Sequence, residues 1–258
     1  MTEPDRSLEF EIEVTGTPEE VWRAIATGPG ISSWYVPHTV EEREGGVATA
    51  RFGPGPEMEV PGRVAAWEPP HRVKFSGDTG DEGLAFEWLV EARDGGTCVV
   101  RLVNSGFGSG EDWDAQYDGM ADGWPMFLSN LRLHLAHFRG RTATSSLPSA
   151  MVGTSRDEAF RMLTEALGMG ASVAVGDRVD VGVADGPRLS GEIVDVEAHR
   201  LAILVEHPAP GTAFVAAEGM GDQTGLSIWS YLYGEGGAVA AKRDEPGWQT
   251  WLTHLVAG

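Results

Sequence analysis

The sequence predicts an α+β protein in which one domain is written twice. Three observations carry this. Short segments of alternating polarity, separated by turn residues, fill the first hundred positions. An apolar helical stripe follows them. Both features then recur in the same order in the second half.

The alternation begins at "LEFEIEV" (8–14), where Leu8, Phe10, Ile12 and Val14 share one face of a strand. In "TGTPEEVWRAIAT" Thr17 is a natural N-cap. Pro18 suits the first helical position, and Glu19 and Glu20 suit the positive end of the helix dipole. "GPGISSW" ends that helix and can form a short second one. Three hairpins are then expected, turning at Gly45-Gly46, at Pro69-Pro70 and at Asp94-Gly95-Gly96. Leu84, Phe86 and Trp88 alternate with Ala85, Glu87 and Leu89, which gives the sheet one apolar, aromatic face.

A helix is expected from about Glu111 to Phe138. Trp124, Phe127, Leu128, Leu131 and Leu135 form one stripe along it. Pro125 predicts a helix start or a kink just inside the Gly-Trp pair. Residues 139–150, "RGRTATSSLPSA", are small, polar and without period, and read as a linker.

The repeat rests on five matches in unbroken order. "EEVWRAI" pairs with "DEAFRML", "GRVAAWEPPHRVKF" with "GEIVDVEAHRLAIL", and "LAF" with "TAF". The strand from Thr97 pairs with that from Thr224, and "GWPMFLSNL" with "GWQTWLTHL". Domains are expected at 1–138 and 151–258. The second is poorer in tryptophan, lacks a clear opening strand beyond "SAMVGT", and ends in a helix of about a dozen residues. It is expected to be structural and to pack on the first as a pseudo-dimer.

The net charge is −20, and neither half is basic, which argues against a nucleic-acid partner. No apolar run reaches the length of a membrane span, and the polar N-terminus is no signal peptide; a cytoplasmic protein is the expectation. Cys98 in "TCVVRLV" reads as buried filler. No P-loop, nucleophile elbow or dinucleotide fingerprint is present. No metal and no cofactor are expected. His134 and His137, three apart, read as a solvated or helix-terminal pair.

The order of strand, "TPEEVW" helix, short helix ending in Trp, "GRVAAWEPPHRVKF", "FEWLVEARDGGTCVVRLV" and long "GW…L" helix resembles the SRPBCC (START-like, helix-grip) superfamily. More narrowly it is similar to the family of activators of the ninety-kilodalton heat-shock protein's ATPase, whose bacterial members are often called polyketide cyclase-like. The resemblance covers most of 8–138 and, more weakly, 151–258. It implies two helix-grip domains, each an antiparallel sheet curved around a C-terminal helix, with a cavity between them for an apolar or amphipathic small molecule.

Candidate ligand-binding residues in the first domain are Trp34, His38, Phe75, Phe86, Trp88, Trp113, Tyr117, Met120, Trp124 and Leu128. Three functions compete. The leading one is binding of an apolar or aromatic small molecule, in transport, sensing or stress tolerance. The second is a cyclase, dehydratase or hydrolase, for which His38, Asp112 and Tyr117 are the acid–base candidates. The third is a co-chaperone-like module with a protein partner, which would need an exposed apolar patch and little enclosed volume.

Overall fold

A computed structural model describes residues 6–53, 55–77, 83–170, 173–183, 186–220 and 223–257. The first five residues of the polar N-terminus and the final Gly258 lie outside them. The chain divides into two compact units, Met1–Thr142 and Ala143–Gly258. Each is an α+β helix-grip domain with one antiparallel sheet and a C-terminal helix.

The first unit opens with β1 (Leu8–Thr15), α1 (Pro18–Ala26) and α2 (Gly28–Ile31). A capping box starts α1: Glu20 N–H donates to Thr17 Oγ1, and Thr17 N–H donates to Glu20 Oε2 at 2.9 Å. Five strands continue the sheet: β2 (His38–Val40), β3 (Val47–Arg51), β4 (Glu59–Glu68), β5 (Arg72–Gly77) and β6 (Ala85–Arg93). Then come β7 (Thr97–Ser105) and α3 (Glu111–His137). The strand order is β1-β7-β6-β5-β4-β3-β2, so the opening strand pairs with the last, Leu8 opposite Asn104 and Thr15 opposite Thr97.

The helix α3 runs unbroken through Pro125. Its stripe of Trp124, Leu128, Leu131 and Leu135 is buried together with Val14, Val21, Ile25, Trp88 and Val100. Tying a strand face to a helix stripe in this way removes both from water, the main driving force for the unit.

The second unit contains β8 (Ala143–Ser146), β9 (Ser149–Val152), α4 (Arg156–Ala166), β10 (Arg178–Gly182), β11 (Arg188–Glu197), β12 (Arg200–His207), β13 (Gly211–Met220), β14 (Gln223–Tyr233) and α5 (Gly234–Ala257). Its order is β10-β11-β12-β13-β14-β8, with β9 also on β14. That is the order of the first sheet without an equivalent of β2. The correspondence extends to an irregularity. Register shifts lie between Val64 and Ala66 on β4, and between Ile193 and Asp195 on β11. Val64 and Ile193 are aligned positions of the repeated segment.

Three expectations are corrected here. The segment 139–150 is not simply a linker, because β8 and the start of β9 lie in it and pair with β14. The strand signal was hidden by small polar residues and by Pro148, which has no N–H for the ladder and splits the opening strand in two.

The closing helix of the second unit has 24 residues, twice the expected length. Its first turns are glycine-rich, which lowers helix propensity and masks the pattern. Close packing explains the composition: a Cβ on Gly237 would sit 2.5 Å from the backbone carbon of Leu232.

Finally, His134 and His137 do lie in the last turn of α3, but His134 is not solvated. It is 3% exposed within α3.

Candidate functional site

The first unit encloses a cavity of about 600 Å³, partly open to solvent. One wall is the sheet, through Ala48 and Ala50 of β3, Val60 of β4, Phe75 and Ser76 of β5, and Phe86 and Trp88 of β6. The facing wall is α3, through Trp113, Gln116, Gly119, Met120, Gly123, Trp124 and Phe127. The segment after α2 closes one end with Trp34, Tyr35 and His38. None of the described lining residues carries a charge at neutral pH.

The wall geometry follows from how each polar atom is satisfied. Trp34 Nε1 donates to the Ala24 carbonyl at 2.9 Å, and the Trp34 carbonyl accepts from Asn130 Nδ2 at 2.9 Å. Trp124 Nε1 donates to Asn104 Oδ1 at 3.3 Å, and Asn104 Nδ2 donates to the Ala85 carbonyl at 3.1 Å. Asn104 and Asn130 are both fully buried. The two amides thus clamp α3 to the sheet and to the α2 segment. Such groups are tolerated in a core because they are hydrogen-bonded.

Tyr35 is the centre of the aromatic cluster. It stacks on Trp124 (centroids 5.2 Å, planes 26° apart) and on Trp34 (5.8 Å, 27°), and meets Phe127 edge-on at 4.4 Å. Burial raises its hydroxyl pKa well above the ordinary value. Trp88 meets both Trp34 and Trp124 edge-on, at 5.5 and 5.7 Å. Rings in these offsets favour one another beyond simple burial.

Two glycines of α3 lie on the cavity wall. Gly119 and Gly123, one helical turn apart, both line it, and a Cβ on either would meet nothing within 4 Å. Each glycine weakens the helix relative to alanine by about 1 kcal/mol.

His38 is the polar group of the lining with the best-defined state. Its Nδ1 lies 2.8 Å from the Val36 carbonyl, so that nitrogen carries the proton. Its backbone N–H donates to Ser32 Oγ at 2.9 Å, which fixes the residue's position. Burial lowers the ring pKa to about 4, the Val36 bond only partly opposing it, so the imidazole is neutral near pH 7.

Eight of the ten residues picked from the sequence line the cavity: Trp34, His38, Phe75, Phe86, Trp88, Trp113, Met120 and Trp124. Two do not. Tyr117 turns away to meet Phe107 edge-on at 5.0 Å and to lie under the Arg6 guanidinium at 3.8 Å. Helical spacing put it near Trp113, but a step of four overshoots a full turn by about 40° and carries Tyr117 off the lining face. Leu128 is buried in the core beneath the cavity. Asp112, the other acid–base candidate, is exposed on α3 and is not among the lining residues. Missed in the sequence were Tyr35 and Phe127. Both were visible: Tyr35 adjoins Trp34, and Phe127 belongs to the helix stripe.

The core of the second unit is built from Leu163, Ile193, Ile203, Val215, Ile228, Trp248 and Leu252, among others. A separate groove of about 480 Å³ lies on α4, lined by Glu158, Arg161, Met162 and Glu165 with Val152 and Leu255. Among the described residues no group of His, Cys, Asp or Glu is arranged to hold a metal ion, and no helix is long and apolar enough to cross a membrane.

Residues 15–136 match the family described as "Activator of Hsp90 ATPase homolog 1-like protein". The first unit thus has the helix-grip fold and matches this family's model over most of its length, and the second unit repeats the sheet order.

Several solved structures are similar. Protein MLL2253 from Mesorhizobium loti is 22% identical, with a TM-score of 0.45 over 52% of this chain and 98% of its own. The Aha1 dimer from Colwellia psychrerythraea is 20% identical, with a TM-score of 0.42 over 52% and 99%. The di-domain ARO/CYC BexL of the BE-7585A biosynthetic pathway is 16% identical, with a TM-score of 0.43 over 98% and 94%. No curated protein matches the chain.

Proposed function

We propose that the first domain binds an apolar or aromatic small molecule in the cavity between its sheet and α3. The observation that carries this is the space itself. A volume of about 600 Å³, lined by aromatic and aliphatic side chains, lies within the usual range of ligand sites. The two glycines of α3 keep that space open where alanine would favour the helix. A module working only through protein contact would gain stability by filling it. The second domain, poorer in tryptophan, serves as a structural partner in this reading.

The test is a titration of the full chain with Nile red, an uncharged dye that brightens in apolar surroundings. One saturable site per chain is expected, with quenching of tryptophan fluorescence, since four tryptophans line the cavity. Absence of saturable binding would overturn the reading.

A further inference from the structure

We propose that His38 Nε2 is the specificity-determining acceptor of this cavity, and that it selects an uncharged, ring-bearing ligand with a hydroxyl group. The proposal rests on the binding function above and specifies its ligand.

The argument starts from the ring's two nitrogens. Nδ1 is committed to the Val36 carbonyl at 2.8 Å, and a carbonyl can only accept, so the proton sits on Nδ1. In the neutral ring Nε2 then carries a lone pair and can only accept. The backbone is tied down: the His38 N–H donates to Ser32 Oγ, and Ser32 Oγ–H reaches back to the Gly28 carbonyl at 2.7 Å. The imidazole therefore cannot trade Nδ1 for Nε2 without giving up the Val36 bond. An acceptor with a fixed direction at a cavity wall calls for a donor on the occupant.

The rest of the lining says what kind of donor. The ring of Tyr35 lies 5.5 Å from His38, tilted, and the rest of the lining is aliphatic and aromatic except for the uncharged polar side chains of Ser76 and Gln116. His38 and Tyr35 are the only described lining groups that titrate, and both stay neutral near pH 7. An ammonium or carboxylate on the ligand would be buried without a counter-charge, at a cost of several kcal/mol. A hydroxyl donates one hydrogen bond with no charge to desolvate. The stacked faces of Tyr35, Trp124 and Trp34 supply the surface on which its ring would rest. Depressed basicity at His38 keeps Nε2 free to accept throughout the neutral range.

Three fluorescent probes of one size separate the possibilities: 1-hydroxypyrene, 1-methoxypyrene and 1-pyrenecarboxylate, titrated at neutral pH into the full chain and into His38→Asn. In that variant the amide nitrogen replaces Nδ1 against the Val36 carbonyl, and the Nε2 acceptor is gone. The wild type should bind the hydroxyl compound about tenfold more tightly than the methyl ether, as one net hydrogen bond implies. The carboxylate should bind more weakly than either. In His38→Asn the ratio of hydroxyl to ether affinity should fall to about one.

Equal affinities for hydroxyl and ether in the wild type overturn the proposal, and this comparison needs no variant to fold. A hydroxyl preference that survives in His38→Asn also overturns it, as does tight carboxylate binding. If all three bind alike, the cavity function stands and the selectivity fails. If none binds, both fall.

Discussion

The side-chain amide of Asn130 donates to the main-chain carbonyl of Trp34 at 2.9 Å, and neither residue is exposed to solvent. This bond joins the middle of α3 to the segment that closes the cavity, 96 residues earlier in the chain. Removing the amide leaves a buried carbonyl without its partner. Asn130→Ala should destabilise the protein by about 1–3 kcal/mol in urea unfolding, and should weaken probe binding because Trp34 and Tyr35 lose their anchor. Stability within a few tenths of wild type would show that the carbonyl finds another donor.

The start of α5 offers a prediction of opposite signs at adjacent residues. A Cβ at Gly236 meets nothing within 4 Å, whereas one at Gly237 would press on the Leu232 backbone at 2.5 Å. Gly236→Ala should raise stability by about 0.5–1 kcal/mol through helix propensity. Gly237→Ala should lower it, because backbone cannot move aside cheaply. Thermal unfolding of the pair decides the matter, and equal shifts would contradict the packing.

Protonation of His134 should cost stability at acid pH. Burial in α3 lowers its pKa to about 4, against an ordinary value of 6.5. Between those values the unfolded chain binds the proton and the folded chain does not. The contribution is therefore complete above pH 6.5 and is lost as pH falls toward about 4. The shift corresponds to about 3 kcal/mol. Urea unfolding across this window should show a steeper fall for wild type than for His134→Gln; parallel curves would contradict it.

Cys98 should be inert in the native state. It is fully buried, its thiol donates to the Gly16 carbonyl at 3.3 Å, and desolvation raises its pKa. A thiol reagent should label it only after denaturant is added. Labelling at the rate of a free thiol in buffer would show that β7 opens.

Much of this fold was legible because its signals are local. Period-two alternation gave β1 and β6, the turn at Asp94-Gly95-Gly96 gave β7, Thr17 with Pro18 gave the start of α1, and the ordered repeat gave the second copy. The parts that were not legible depend on tertiary contact. Ala143–Ser146 becomes a strand only because β14 offers an edge, and Gly237 is helical because it packs on Leu232. The cavity was partly legible: aromatic identity placed Trp34, Phe86, Trp88 and Trp124 in its wall. Helical spacing misplaced Tyr117 and Leu128, since a residue's angle on a helix does not tell which neighbour it will face. The hydrogen bonds of Asn104 and Asn130 left no pattern in the sequence, as single amides have no period.

Gly119 and Gly123 hold the most direct test of the central claim, that the first domain keeps its interior open for a ligand. Gly123→Leu, and separately Gly119→Leu, should direct a side chain into the cavity while favouring the helix. Titration of pyrene into wild type and variants, with thermal unfolding alongside, reads both effects. The account predicts one saturable site in wild type, at least tenfold weaker binding in Gly123→Leu, and no loss of thermal stability. Undiminished pyrene binding in a folded Gly123→Leu protein would contradict it.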